Sequence, residues 1–408
     1  MCGDLMVLMG WSKIPVEARR LIVYYTLSSI PYAVYVFFPI YMYILGFDIE
    51  LVGYLLTTYY LLVAISKYIV GRLLDIKLSP KTCIILIDSL GAVENLIYSV
   101  ASTPYHFLLA FVLASIASPL FIAYRTIEKD LYPSDMLEVT YRHHMFWPYI
   151  AQVFSLVTMG LYLWLSNDLL YAFRILFVLT AMGSFLVVLY TVFYIPDTST
   201  IVSTRHESRR KLGKIFDRAL IYFATAEILI VSAFAFTPSF VLQNYLYNIL
   251  GFTIISITII ETFDTTFRGL GSIFHEKLER HGRLLLLIAS LVMASLAGIF
   301  IYITNVLTDL TIIFIIIILS IIFMGLGESI WWIQHEAFIL PQIPEEHRGE
   351  VFGLISSIRS LIDIATPTVA ALLASKISPL APYVVYSFLL LGAIPLYLVG
   401  VREVRETS

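Results

Sequence analysis

The sequence predicts an all-α integral membrane protein: twelve transmembrane helices in two six-helix bundles, with both termini in the cytoplasm. Three observations predict it. First, 59% of the 408 residues are hydrophobic and only 13% are charged, with a mean hydropathy of +0.88, whereas soluble domains carry about 25% charged residues. Second, the apolar residues fall in blocks of about 20, the length that crosses a hydrocarbon core about 30 Å thick. Third, Lys and Arg gather in alternate links between those blocks. The net charge of −3 says little beside that distribution.

The spans are expected at roughly 20–45, 51–71, 82–102, 105–125, 143–166, 169–194, 218–243, 252–274, 283–304, 309–337, 349–375 and 381–401. Each must be a helix, because lipid offers no partner to an unpaired backbone group and the alternation of a membrane barrel is missing. The first span carries Ser28, Tyr32 and Tyr35 in a stripe at i, i+4 and i+7, and Tyr41 and Tyr43 near its end read as an interfacial aromatic belt. The second ends in "GRLLD", Gly71 to Asp75, with Lys67 placed to snorkel. The third holds Asp88 and Glu94, with Asp88 read as a helix-packing residue. A polar link, "EKDLYPSDMLEVTYRHH", joins the fourth and fifth spans, and the fifth carries Gln152. After the sixth comes the longest loop, so that 1–195 and 218–408 are the expected bundles and 196–217 a basic central loop. The seventh span carries Glu227 beside Thr225, and the eighth carries Glu261, Asp264 and Arg268 before ending in "GSIFH", Gly271 to His275. The tenth contains "MGLGESIWW", with Glu328 and with Trp331 and Trp332 read as headgroup-belt residues. The eleventh follows the polar link "PQIPEEHRGE" and carries Arg359 and Asp363.

With these spans, 21 of the 26 Lys and Arg fall on one side, Lys376 alone on the other, and Lys67, Arg174, Arg268 and Arg359 within spans. Cytoplasmic segments are the basic ones, so both termini are placed inside. The start, "MCGDLMVLMGW", has no basic region and no small-residue cleavage pattern, and does not read as a signal peptide. Cys2 and Cys83 make neither a disulfide framework nor a metal cluster. The chain also looks duplicated. "GRLLD" and "GSIFH" close the second and eighth spans 200 residues apart, and proline-acid links at Pro133 and Pro344 precede the fifth and eleventh.

Ionisable side chains at mid-membrane are costly unless paired or wet, and so are functional candidates. Glu261, Asp264 and Arg268 share one helix face. Asp264 and Arg268, at i and i+4, nearly neutralise each other and read as a structural or gating pair. Glu261 has no partner on its own helix. It reads as a proton-coupling or solute-contacting group, or alternatively as a hydrogen-bond partner of Gln152. Arg359 and Asp363 repeat the i, i+4 pairing. Glu227 and Glu328 are candidate cavity acids. Phosphate-binding loops, HExxH and CxxC are missing, so neither ATP hydrolysis nor zinc chemistry is supported.

Two stretches resemble the major facilitator superfamily of secondary transporters. "GRLLDIKLSPK" resembles the family's loop signature after the second helix, with Gly71 and Asp75 matching and Lys77 and Lys81 supplying basic charge. "IPEEHRGEVFGLISSIRSLIDIATP", Ile343 to Pro367, is similar to the start of the family's eleventh helix. "LERHGR" is a weak second-half copy of the loop signature, and the second span's later glycine is absent. The resemblance implies that helices 1, 4, 7 and 10 line a central cavity, where Ser28, Tyr32, Tyr35, Glu227 and Glu328 would lie. It places helices 2, 5, 8 and 11 at the contact between halves. Gly71, Asp75 and Gly271 would then belong to a cytoplasmic gate, the plainer reading being a loop that merely obeys the charge bias. The activity implied is alternating-access transport of a small solute, coupled to an ion, with the proton the natural candidate. An uncoupled facilitator, or a lipid-handling or sensor protein on the same scaffold, stays open, and an enzyme is not expected. The expected partners are the solute, the coupling ion and the lipid bilayer. A monomer without cofactor, metal or nucleic-acid partner is expected.

Overall fold

The computed structural model describes residues 11–73, 78–198, 218–278, 282–339, 342–343 and 348–407. Its long elements are all helices: α1 (Val16–Tyr32), α2 (Phe38–Ile44), α3 (Ile49–Leu73), α4 (Pro80–Ser99), α5 (Pro104–Ala117), α6 (Ile122–Leu131), α7 (Leu137–Leu165), α8 (Leu169–Tyr194), α9 (Arg218–Phe236), α10 (Ser239–Asn244), α11 (Ile254–Leu278), α12 (Arg283–Ile303), α13 (Leu310–Ile339), α14 (Arg348–Lys376) and α15 (Ala381–Thr407). Among the described residues, eleven helical runs are long and apolar enough to cross a membrane. At the eighth expected span lies α11, whose 25 residues are long enough to cross at 1.5 Å per residue. Glu261, Asp264 and Arg268, all within eight residues, set it apart from the apolar runs.

Three runs are interrupted: Val16–Ile44, Pro104–Leu131 and Arg218–Ile249. Each break sits at proline, which lacks an N–H and clashes with the preceding turn. Pro31 and Pro39 bracket the 3₁₀ turn Ala33–Phe37, Pro119 lies in the 3₁₀ turn Ser118–Phe121, and Pro238 separates α9 from α10. Pro148, Pro367 and Pro395 sit inside uninterrupted helices. The fourth run extends to Leu131 and the fifth starts by Leu137. The long polar link expected between them therefore shrinks to a few residues, because its flanks continue as helix.

Acids at the starts of spans are largely caps. Asp48 accepts from the Leu51 amide at 2.7 Å, Asp168 from Tyr171 at 3.0 Å and Asp309 from Thr311 at 2.8 Å, satisfying amides that a helix start leaves unbonded. The first and seventh runs end alike, in "ILGF" at Ile44–Phe47 and Ile249–Phe252. Gly46 and Gly251 both have positive φ, 85° and 68°, the left-handed conformation that glycine adopts freely after a helix. Just before, "YMY" in the first run corresponds in sequence to "YLYN" in the seventh. The extra residue falls within a π-helical turn, Tyr245–Ile249, the way a helix absorbs a one-residue insertion.

Contacts divide the chain into two compact units, Met1–Gly46 with Thr58–Arg205, and Phe47–Thr57 with His206–Ser408. In the first, α4 packs on α5 and α8, and α1 on α7 and α8, around a core that includes Leu21, Ile84, Ala123 and Val187. Tyr41 and Tyr43 are 0% and 7% exposed, so they are core rather than belt residues. The Tyr41 hydroxyl donates to the Tyr98 carbonyl at 2.7 Å, which gives its polar tip a partner away from water. In the second unit, α12 packs on α13, and α15 on α9 and α12. Here Phe47–Thr57 meets α14. Thr57 and Thr368 hydroxyls lie 2.8 Å apart, and Lys376, the lone basic residue expected on its side, pairs with Glu50 at 2.7 Å.

Candidate functional site

In the second unit the ionisable residues of α11 meet α10 and α13. Gln243 Nε2 on α10 donates to Glu261 Oε1 at 2.9 Å. Glu261 thus has its partner in its own unit, and the partner is Gln243 rather than Gln152. Arg268 Nε lies 2.9 and 2.8 Å from Asp264 Oδ1 and Oδ2. Its Nη1 also bonds Glu328 Oε2 on α13. Glu328, expected as a cavity acid, is therefore the second anion of a shared guanidinium. A rigid fork of donors allows one arginine to serve two carboxylates at once.

Glycines make this meeting possible. A Cβ at Gly325 would lie 3.3 Å from Arg268 Cγ and 3.4 Å from the Asp264 carbonyl. One at Gly271 would lie 2.5 Å from Ser329 Cβ, and one at Gly327 2.8 Å from the Ser290 carbonyl. "MGLGES" on α13 thus lays Gly325 against α11 and Gly327 against α12, the close approach that small residues permit in lipid. Gly71 is in the last turn of α3, while Asp75 lies outside the described residues. On α14 the Arg359 side chain is exposed and Asp363 is half-buried.

Glu227 sits deeper than a cavity acid would. It is 8% exposed, and its Oε2 lies 3.1 Å from His335 Nε2. His335 Nδ1 is 2.7 Å from the Tyr397 hydroxyl, which also accepts from Trp331 Nε1 at 2.9 Å. An arrangement in which the Tyr397 hydroxyl donates to Nδ1 and a neutral His335 donates from Nε2 to the Glu227 carboxylate satisfies every member of the chain. Trp331, 1% exposed and stacked on His335 at 5.2 Å, is core. Trp332, 42% exposed, is the one at the surface.

The first unit contains a cavity of about 230 Å³. Tyr32 and Tyr35 line it, as do Tyr59 of α3 and Asp88, Gly91, Glu94 and Asn95 along one face of α4. Ser28 is not among the lining residues, since its hydroxyl turns back to the Tyr25 carbonyl at 3.0 Å. Asp88 accepts from Tyr24 at 2.9 Å, and Glu94 from Tyr98 at 2.8 Å. Gln152 is half-buried on α7. Where α6 and α7 meet, Glu128 accepts from Tyr25 at 2.6 Å and Tyr141 at 3.0 Å, and Tyr132 lies 2.6 Å from His144 Nδ1. Burial, and then Glu128, hold the Tyr132 hydroxyl above its usual range, so it stays neutral.

Sequence reasoning missed Glu94, Glu128 and Gln243 as site residues and placed Asp88 on a packing face. The stripe Asp88, Gly91, Asn95 at i, i+3 and i+7 was legible, but the tyrosine that bonds Asp88, Tyr24, is 64 residues away. Among the described residues no group of three or more His, Cys, Asp or Glu is placed to hold a metal.

The sequence profile of the Major Facilitator Superfamily matches residues 21–317 and 228–408. Among solved structures, the chain is similar to a peptide transporter POT crystallised with sulfate (15% identity, 96% of this chain and 95% of that one, TM-score 0.74). It is also similar to the nucleoside transporter NupG (14%, 95% and 99%, TM-score 0.64). A bacterial homolog of the human lysosomal transporter Spinster is a third (14%, 94% and 96%, TM-score 0.63). At such identities the likeness speaks for the fold. No curated protein matches the sequence. Because the family profile spans nearly the whole chain, this multi-pass membrane protein belongs to the major facilitator superfamily and moves small solutes.

Proposed function

We propose that the chain is a proton-coupled secondary transporter of twelve helices, arranged as two pseudo-symmetric six-helix bundles with cytoplasmic termini, that works by alternating access. The carrying observation is the charge balance of the second unit, where Asp264 and Glu328 share Arg268 and Glu261 on the same helix has, among the described residues, only Gln243 as its hydrogen-bond partner. Arg268 neutralises at most one of the two carboxylates it touches. Glu261, about two turns before Arg268 on α11, is held by a neutral amide. A carboxyl so placed in a low-dielectric helix pack can load and release a proton as its surroundings change. Support for two related halves comes from the paired "ILGF" ends with their left-handed glycines, and from residues 228–317, which fall in both profile matches. The 21-to-1 distribution of Lys and Arg supports the sidedness.

The test is a solute screen in proteoliposomes with an imposed pH gradient. Wild-type protein accumulates its solute against a gradient. Glu261→Gln loses accumulation but keeps solute counterflow, which needs binding and rocking but no proton. Intact gradient-driven accumulation in Glu261→Gln would remove the coupling role.

A further inference from the structure

The cavity in the first unit carries an inference beyond coupling. Its wall holds two carboxylates, Asp88 and Glu94, and among the described residues that line it there is no Lys, Arg or His. Asp88 is 4% exposed, and each carboxylate accepts one tyrosine hydroxyl while keeping a second oxygen. Two further polar atoms at the same wall have no hydrogen-bond partner: Asn95 Oδ1 and Thr180 Oγ1. Their residues are 1% and 2% exposed. Buried acceptors of this kind are normally satisfied, and a buried acid is stabilised either by taking up a proton or by a counter-charge. The rest of the wall is aromatic and apolar, including Tyr32, Tyr59 and Phe121.

We propose that this cavity is a binding site for a small primary ammonium ion. The N–H donors of such a group offer partners to the remaining acceptors of the wall, and because Asp88 lies about two helical turns from Glu94 and Asn95, one ammonium serves one end of the cavity at a time. Its positive charge replaces the missing cation, and its alkyl tail and charge suit the tyrosine faces. About 230 Å³ is more room than a bare inorganic ion needs and leaves space for an alkyl tail beside the charge. The inference does not depend on proton coupling, because binding requires no gradient.

Gly91 provides the test. It lies on the cavity wall, and a Cβ built there meets nothing within 4 Å, so Gly91→Leu fills the space without a backbone clash. The full chain in nanodiscs would be titrated with n-propylammonium chloride, with 1-propanol and sodium chloride as matched controls, and thermal unfolding and calorimetry as readouts. Saturable stabilisation by propylammonium alone is expected. Gly91→Leu should abolish it while unfolding no earlier than wild type without ligand, and the isosteric Glu94→Gln should weaken it about tenfold or more. Equal binding of propanol would show an apolar cavity without charge selection. Equal stabilisation by sodium would show an inorganic cation site. Either result, unchanged binding in Gly91→Leu, or no saturable binding to the wild type would overturn the proposal.

Discussion

Removing Arg268 should unbalance the second unit more than removing either acid, and the structure sets the scale. Arg268 is the shared donor for Asp264 and Glu328, whose side chains are 21% and 13% exposed, while its own is 39% exposed. Taking the cation from a buried pair costs about 3–5 kcal/mol. Partial exposure screens that, leaving about 2–3 kcal/mol for Arg268→Met. Glu328→Gln leaves Arg268 bound to Asp264 and removes one charge-assisted contact, for about 1 kcal/mol after the same discount. In the double variant Glu328 is no longer an orphaned anion, so its cost should fall short of the sum by about 1 kcal/mol. The assay is a double-mutant cycle of reversible unfolding in mixed micelles, read by tryptophan fluorescence. Additivity within about 0.5 kcal/mol would show that the two side chains are not energetically coupled, and the shared-guanidinium account would be withdrawn.

Two further outcomes follow from the packing. Tyr397→Phe removes the hydroxyl that serves both Trp331 and His335. It orphans two buried groups and should destabilise by about 2–3 kcal/mol, more than Glu227→Gln, which keeps an acceptor for His335; thermal unfolding of both variants checks the order. Gly271→Ala puts a methyl 2.5 Å from Ser329 Cβ and should cost about 1–3 kcal/mol by overpacking, and Ser329→Gly in the same chain should recover most of it. Lack of recovery would mean that the α11–α13 contact is not what limits position 271.

Much of the fold was legible because its causes are local. A hydrophobic block of membrane length must be helical wherever it ends up, and the described helices fall at the expected spans. The breaks were harder to read. Pro31 and Pro238 interrupt their runs while Pro148, Pro367 and Pro395 do not, and only neighbouring contacts separate the two cases. The "ILGF" repeat was visible in the letters, but the one-residue insertion beside it masks the alignment until the π-turn absorbs it.

Site residues divide the same way. The Asp264–Arg268 spacing follows from helical periodicity alone, and the structure places those two side chains 2.8 Å apart. Spacing along one helix is silent about Glu328, 60 residues away, and about Gln243, which reaches Glu261 from a different helix. Glu227 and Trp331 looked like cavity and belt residues because nothing local says that His335 and Tyr397 will close around them.

By itself, then, the sequence determined the solvent, the helices and the family, because hydropathy and charge distribution are properties of the chain before it packs. Only the tertiary structure decided which acids are neutralised, which are capped and which face a cavity. That depends on helix crossings set by glycines such as Gly271 and Gly325, and in a low-dielectric interior a charge takes its character from whatever lies within a few ångströms.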